Sequence, residues 1–300
     1  MRQNTVISIL GLAGFTVMAD NWVVSPILPA ISNDLHIELT RAALLITAYM
    51  IPFGLFRLIF GPLADRYGKR QVITYSMLFF AVTTALCAVA GNFATIAGYR
   101  ALTGLFAASA MPVGLALIGD LVPMRERQAA VGGFMGIAFL GQGLSKAIGG
   151  SIAFFLSWRG VFAIYSLLAV FSTILLVTAG RRITCSTNLN SSFFGPYGKL
   201  LASSVARRTY LTVLLEGILI VGTFSFLGAY MSRTYHLNYL YIGLTLTVFG
   251  LATVVVGRTV GRLAALWRRK RVLALGLICA TVAEALFSPP ATCSAPWSLA

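Results

Sequence analysis

The chain has 300 residues, 58% of them hydrophobic and only 10% charged, with a mean hydropathy of +0.86. Soluble domains carry about 25% charged residues, so a water-soluble globule is excluded. Lys and Arg number 23 against eight Asp and Glu, a net charge of +15, but the basic residues sit in short clusters between long apolar runs. That is a membrane-topology pattern rather than a nucleic-acid surface. Four scattered cysteines without a Cys-x-x-Cys spacing, and only two histidines, argue against a disulfide framework, a structural zinc or a thiol redox centre.

Apolar stretches bounded by charged or turn residues cover 5–29, 42–62, 72–90, 94–119, 128–156, 160–180, 210–231, 240–262 and 272–288. Each is long enough to cross a bilayer as a helix, and each is continuous rather than alternating, which favours helices over barrel strands. The sequence therefore predicts an all-α membrane protein with nine crossings. The first run holds Asp20 and closes on Pro26-Ile27-Leu28-Pro29, so it is read as a retained helix and not a cleaved signal. Between 181 and 209 the Ser, Thr, Asn and Gly content leaves too little apolar surface to pack, which reads as a linker. The organisation is thus six helices over 1–180, a linker over 181–209, three helices over 210–288 and a tail over 289–300.

Orientation follows from the distribution of basic residues, which concentrate on the cytoplasmic side. With the N-terminus inside, sixteen Lys and Arg fall in inner loops and three (Arg41, Arg159, Arg233) in outer ones. This predicts a cytoplasmic N-terminus in the cell membrane.

Between the second and third spans stands Gly61-Pro62-Leu63-Ala64-Asp65-Arg66-Tyr67-Gly68-Lys69-Arg70. Pro62 is read as ending a helix, Gly68 as supplying the positive φ of a tight loop, and Asp65 as facing the positive N-terminal end of the next helix. Arg66, Lys69 and Arg70 are read as holding the loop at the headgroups. The string resembles the loop signature of the major facilitator superfamily. Tyr99-Arg100-Ala101-Leu102-Thr103-Gly104 resembles that family's fourth-helix motif, Asp120-Leu121-Val122-Pro123 with Arg125 and Arg127 its next inner loop, and Trp158-Arg159 the entry to its sixth helix. A degenerate echo of the loop motif, 261–271, carries Ala265 where the acid stands in the first copy, in keeping with the repeated halves of such transporters. Ser145-Lys146-Ala147-Ile148-Gly149-Gly150 puts a lysine where exporters of the family usually carry a proline.

The resemblance implies a helical bundle with a complete six-helix N-terminal half. It implies an incomplete C-terminal half as well, because the family usually has twelve helices and nine are read here. Self-association to cover exposed cavity walls is expected on that basis. The resemblance also implies conformational gating by Gly61, Asp65, Arg66, Gly68, Lys69 and Arg70.

Charges inside a span cost roughly 2.5–3.5 kcal/mol each, so they form a short list of functional candidates. Asp20, Arg100 and Lys146 fall at similar depth, roughly 9–15 Å from the outer surface at 1.5 Å per residue. They are read as a layer lining a central cavity, coupling movement of a small-molecule substrate to protons. A pair of Asp20 with Arg100 that fixes packing, and outward snorkelling of Lys146, remain alternatives. Arg57 and Asp120 are read as lying near inner helix ends, and Trp22, beside Asp20, as an aromatic within reach of a solute. A Gly-rich helix (Gly132, Gly133, Gly136, Gly141, Gly143, Gly149, Gly150) is read as a close-packing seam or a flexible gate.

With no phosphate-binding loop, no His-Glu-x-x-His and no Ser/His/Asp set, neither nucleotide, metal, cofactor nor enzymatic chemistry is expected. The functional expectation is a proton-coupled secondary transporter of a small organic solute or drug, an exporter working by alternating access. The alternative is a truncated, non-transporting or regulatory membrane protein.

Overall fold

The computed structural model describes residues 3–178, 202–218, 223–235, 237–248, 275–276 and 278–279. Contacts divide the chain into two compact units, Met1–Leu251 and Ala252–Ala300, and the elements below belong to the first. They are α1 (Gln3–Asp34), α2 (Leu39–Tyr67), α3 (Lys69–Ala88), α4 (Phe93–Ala107), α5 (Ala110–Leu121), α6 (Met124–Phe155) and α7 (Trp158–Thr178), followed by the helices Ser204–Glu216, Thr223–Tyr235 and Tyr239–Val248. Six crossings result from the first seven helices, α4 and α5 together forming the crossing Phe93–Leu121. The all-α fold and the six-helix N-terminal half expected from the sequence are therefore present.

Several expected boundaries are corrected. Pro29 and Pro62 do not end their helices: α1 runs through Pro26 and Pro29 to Asp34, and α2 through Pro52 and Pro62 to Tyr67. A proline removes one N–H, and inside a bundle a neighbouring element can take up the carbonyl it frees. Pro29 deprives the Ser25 carbonyl of its helical donor, and Gly228 packs against that carbonyl so closely that a Cβ there would lie 2.6 Å from its oxygen. The stop of α2 is Gly68, at φ 95°, whose N–H returns to the Ala64 carbonyl at 3.0 Å.

The expected single span 94–119 is broken at 108–109. Pro112 lies in the first turn of α5, where the absent N–H is tolerated, and the Ala108 and Ser109 amides tighten back onto Leu105 and Phe106. The expected span 210–231 is described as two pieces, Ser204–Glu216 and Thr223–Tyr235, flanking residues outside the description. Most of the expected linker, the echo 261–271, the span 272–288 and the tail also lie outside the described residues.

Inside the bundle α1 lies along α6, α3 along α7 and α2 along α4. Lipid tails are as apolar as leucine, so helices associate by close packing of small residues. Gly14 sits under Ala138 and Phe134, a Cβ at Gly141 would run into the Phe15 carbonyl, and Gly149 faces Val23. Gly132 and Gly136 face open space. The glycine-rich stretch of α6 is therefore a packing seam at Gly141, Gly149 and Gly150. The last of these packs on the Tyr239 carbonyl of the helix Tyr239–Val248. Hydroxyls add interhelical bonds: Ser166 donates to the Ala81 carbonyl at 3.0 Å, and Thr16 meets Ser172 at 3.3 Å.

α2 and α4 also cross closely, with Gly104 pressing on the Tyr49 backbone. A methyl group there has to displace backbone rather than a side-chain tip. Gly104→Ala is expected to lower stability by about 1–3 kcal/mol through overpacking, while Gly98→Ala on the same helix, in open space, changes it by less than about 1 kcal/mol. Thermal unfolding of both variants in detergent checks this; equal melting shifts would contradict the crossing.

Candidate functional site

The α2–α4 crossing positions the first buried charge. One turn before Gly104, Arg100 lies with its guanidinium 4.2 Å from the centre of the Tyr49 ring and 5.7 Å from that of Phe162 on α7. The start of α4 is fixed by a reciprocal cap: Asn92 accepts from the Thr95 amide at 2.9 Å, and Thr95 accepts from the Asn92 amide at 3.4 Å. Arg100 donates to the Asp20 carboxylate at 2.8 Å. Both side chains are sealed from solvent, Arg100 at 1% and Asp20 at 0% exposure. Because α1 extends to Asp34, Asp20 lies near the middle of its helix, about 21 Å from that end at 1.5 Å per residue, deeper than the sequence suggested.

Lys146 is not part of this pair. It is 2% exposed, so it does not snorkel outward, and its ammonium lies 4.9 Å from the centre of the Trp22 ring. The contacts of Gly141 with Phe15 and of Gly149 with Val23 bring this part of α6 onto α1. Asp20 and Trp22 point to different faces of α1, the first towards α4 and the second towards α6. The expected single layer is thus divided into an Asp20–Arg100 ion pair and a Lys146–Trp22 cation–π contact. Next to Lys146, the Ala147 amide donates to Thr247 Oγ1 at 2.8 Å, joining α6 to the helix Tyr239–Val248.

At the basic end of the bundle the loop motif is assembled around Lys69. This residue is buried rather than placed at the headgroups, and its ammonium meets Asp65 at 3.3 Å and Asp120 at 2.7 Å. Asp65 therefore faces the first residue of α3 through a side-chain ion pair. Arg66 is exposed and stacks loosely on Tyr67, Arg70 is half-buried, and Gly61 lies inside α2. Arg127 donates to the Gly119 carbonyl at 2.6 Å, tying the start of α6 to the end of α5.

The opposite end has its own charge cluster, which the sequence reading passed over. Asp34, the last residue of α1, accepts from Arg159 at 2.5 Å and from the Trp158 indole at 3.2 Å, and Arg159 also donates to the Ala90 carbonyl at 3.2 Å. The Trp158-Arg159 dipeptide thereby fastens α1, the α3–α4 turn and the start of α7.

Other residues of the site were equally invisible. Tyr49 and Tyr165 are aromatic residues in apolar runs with nothing to mark them, whereas Asp120 is read from the sequence as an acid near an inner helix end, within reach of the Asp65 loop. Arg57 was expected near an inner end, but with α2 extending to Tyr67 it lies about 15 Å from that end, its guanidinium 4.2 Å from the centre of the Phe53 ring. An i, i+4 count along Tyr49, Phe53 and Arg57 was the available signal that these share one face. Among the described residues no group of three or more His, Cys, Asp or Glu is arranged to hold a metal.

The Major Facilitator Superfamily family matches the chain over residues 10–300. The uncharacterized MFS-type transporter YceJ of Bacillus subtilis (strain 168) is 28% identical over 251 residues, 82% of this chain and 63% of that protein. Citrate exporter 1 of Aspergillus niger is 32% identical over 162 residues, 54% of this chain and 31% of that protein. The chain thus spans less than two thirds of the length of these relatives. Among solved structures, a bacterial homologue of the human lysosomal transporter Spinster, in an inward-facing and unoccupied conformation, superimposes with a TM-score of 0.75 at 16% identity, covering 89% of this chain and 64% of that one. Six apolar crossings, the loop motif around Lys69, the buried arginine of α4 and the match over nearly the whole sequence lead to one conclusion: the chain is a multi-pass membrane protein of the Major Facilitator Superfamily.

Proposed function

We propose that this chain acts as a secondary active transporter, exporting a small organic solute or drug by alternating access and coupled to protons. The observation that carries the reading is the Asp20–Arg100 pair, an ionisable pair sealed in the middle of a membrane-spanning bundle. Ionisable groups at that depth are retained where ions or substrates pass. Protonating Asp20 removes the attraction that holds Arg100, so the packing of α1 on α4 becomes sensitive to proton binding. Lys146 and Trp22 supply a cation and an aromatic surface on the α6 side of α1, suited to contact with a solute. Export of a small organic molecule is the function named for the Aspergillus relative.

In this reading Gly61, Asp65, Arg66, Gly68, Lys69 and Arg70 form the gating loop, with Lys69 holding the α2–α3 turn to Asp120 in one state and releasing it in the other. Residues 1–180 form the first transporter half, 181–209 a cytoplasmic linker, 210–288 a part of the second half and 289–300 a tail. The membrane is the cell membrane, and the N-terminus is cytoplasmic.

Proteoliposome flux under an imposed pH gradient tests the coupling. Asp20→Asn should lose at least about tenfold in gradient-driven flux while retaining exchange between equal solute pools, since tenfold corresponds to about 1.4 kcal/mol. Arg100→Ala should also unfold at lower temperature, because removing one partner of a buried pair costs about 3–5 kcal/mol. Gradient-driven flux of wild-type size in both variants would eliminate the coupling role.

For the gate, Lys69→Ala and Asp120→Asn remove the same charge-assisted bond, worth about 1.5–3 kcal/mol. Lys69→Ala, which also loses the Asp65 pair, should slow flux at least as much as Asp120→Asn, and the double variant should be no slower than Lys69→Ala alone. Additive losses would show that the two residues act separately.

Tyr67→Cys, in a chain whose four native cysteines are replaced by serine, reports the orientation. In right-side-out vesicles a membrane-impermeant thiol reagent should leave it unlabelled, and permeabilisation should expose it. Labelling before permeabilisation would reverse the topology.

A further inference from the structure

Five buried polar atoms without a hydrogen-bond partner among the described residues belong to one neighbourhood: Asp20 Oδ1, Tyr49 Oη, Thr84 Oγ1, Arg100 Nε and Tyr165 Oη. Asp20 and Arg100 lie on α1 and α4, and the three hydroxyls come from α2, α3 and α7. Arg100 engages only Oδ2 of Asp20, which leaves Oδ1 and its own Nε–H unused. Tyr49 and Tyr165 are both within electrostatic reach of the Asp20 carboxylate. Phe162, one turn before Tyr165 on α7, lies beside the Arg100 guanidinium. The Ser166–Ala81 bond holds this part of α7 to α3 one turn before Thr84, and Cys87 with Thr103, 3.9 Å apart, adds a further contact between α3 and α4.

These atoms are chemically complementary. A carboxylate oxygen accepts, a guanidinium N–H donates, and three hydroxyls do both. Yet none is hydrogen-bonded to another. Buried groups of this kind are normally satisfied by protein or by ordered water. An internal water needs roughly two to four polar partners, and this neighbourhood supplies them.

We propose that the Asp20–Arg100 pair borders an internal hydration site, in which ordered water is held by the Tyr49, Tyr165 and Thr84 hydroxyls and completes the coordination of Asp20 Oδ1 and Arg100 Nε. The charged and titratable groups facing Asp20 are Arg100 from α4, Tyr49 from α2, Tyr165 from α7 and Cys87 from α3. Oδ1 is then the oxygen that exchanges a proton: a hydronium ion gives its proton to Oδ1 and remains as neutral water, and the charge attraction between Asp20 and Arg100 is lost with that transfer. That proton step rests on the coupled-transport reading; the hydration site does not.

X-ray hydroxyl-radical footprinting of the full chain in detergent tests the site without any transport measurement. Radicals form from bound water itself, so buried side chains beside ordered water are oxidised. Tyr49 and Tyr165, at 0% and 3% exposure, should be modified at least about tenfold faster than the equally buried Phe80 and Phe134, approaching exposed Tyr75. Thr84→Val and Tyr165→Phe should each lower the Tyr49 rate by about threefold or more with unchanged melting temperature. If Tyr49 and Tyr165 react no faster than Phe80 and Phe134, or if the two substitutions leave Tyr49 unaffected, the hydration site is wrong. Intact labelling in a protein whose flux ignores the pH gradient would overturn the coupling reading alone.

Discussion

A charge in hydrocarbon must find its partner inside the protein, and the six-helix bundle is organised around that requirement. Asp20 and Arg100 come from helices that are far apart in sequence, and each is tolerable only because the other is 2.8 Å away. The pair in turn requires α4 to approach α2 closely enough for Arg100 to lie on the Tyr49 ring. That approach is possible because Gly104 has no side chain to hold the Tyr49 backbone away. A small residue and a buried ion pair are thus parts of one device: close packing sets the geometry, and electrostatics makes it selective.

α1 is the element on which these contacts converge. One face carries Asp20 to α4, another carries Trp22 to Lys146, and a third packs the Ser25 carbonyl against Gly228 of the helix Thr223–Tyr235. Its far end is held by Arg159 and Trp158 through Asp34. A change of charge at Asp20 therefore acts on a helix in contact with its own bundle and with the following helices. The basic end is fastened independently, through Lys69 between Asp65 and Asp120.

Legibility differed between kinds of feature for physical reasons. Apolar runs of membrane-spanning length specify helices by themselves, since no other backbone arrangement built of continuous apolar runs satisfies its own hydrogen bonds in lipid. The positive φ of Gly68 was equally readable, because a tight loop between two helices selects glycine. Helix ends at prolines were not. Whether Pro29 or Pro62 stops a helix depends on the tertiary surroundings of the disturbed backbone, such as the close packing of Gly228 on the Ser25 carbonyl. Lys69 was assigned to the headgroups because its neighbours in sequence are basic, whereas Asp120, which draws it inward, lies 51 positions away.

The sequence by itself determined that the chain is helical, that it crosses the membrane repeatedly, and that Asp20, Arg100 and Lys146 are buried charges needing an explanation. Hydropathy and charge are properties of single residues and short windows, so one dimension suffices for them. Only the tertiary structure decided that Arg100 belongs to Asp20 while Lys146 belongs to Trp22, and that the Tyr49 ring lies against the Arg100 guanidinium. Those assignments depend on which faces of separate helices meet, and that is fixed by side-chain volume at crossings such as Gly104 on Tyr49, where no local pattern announces the partner.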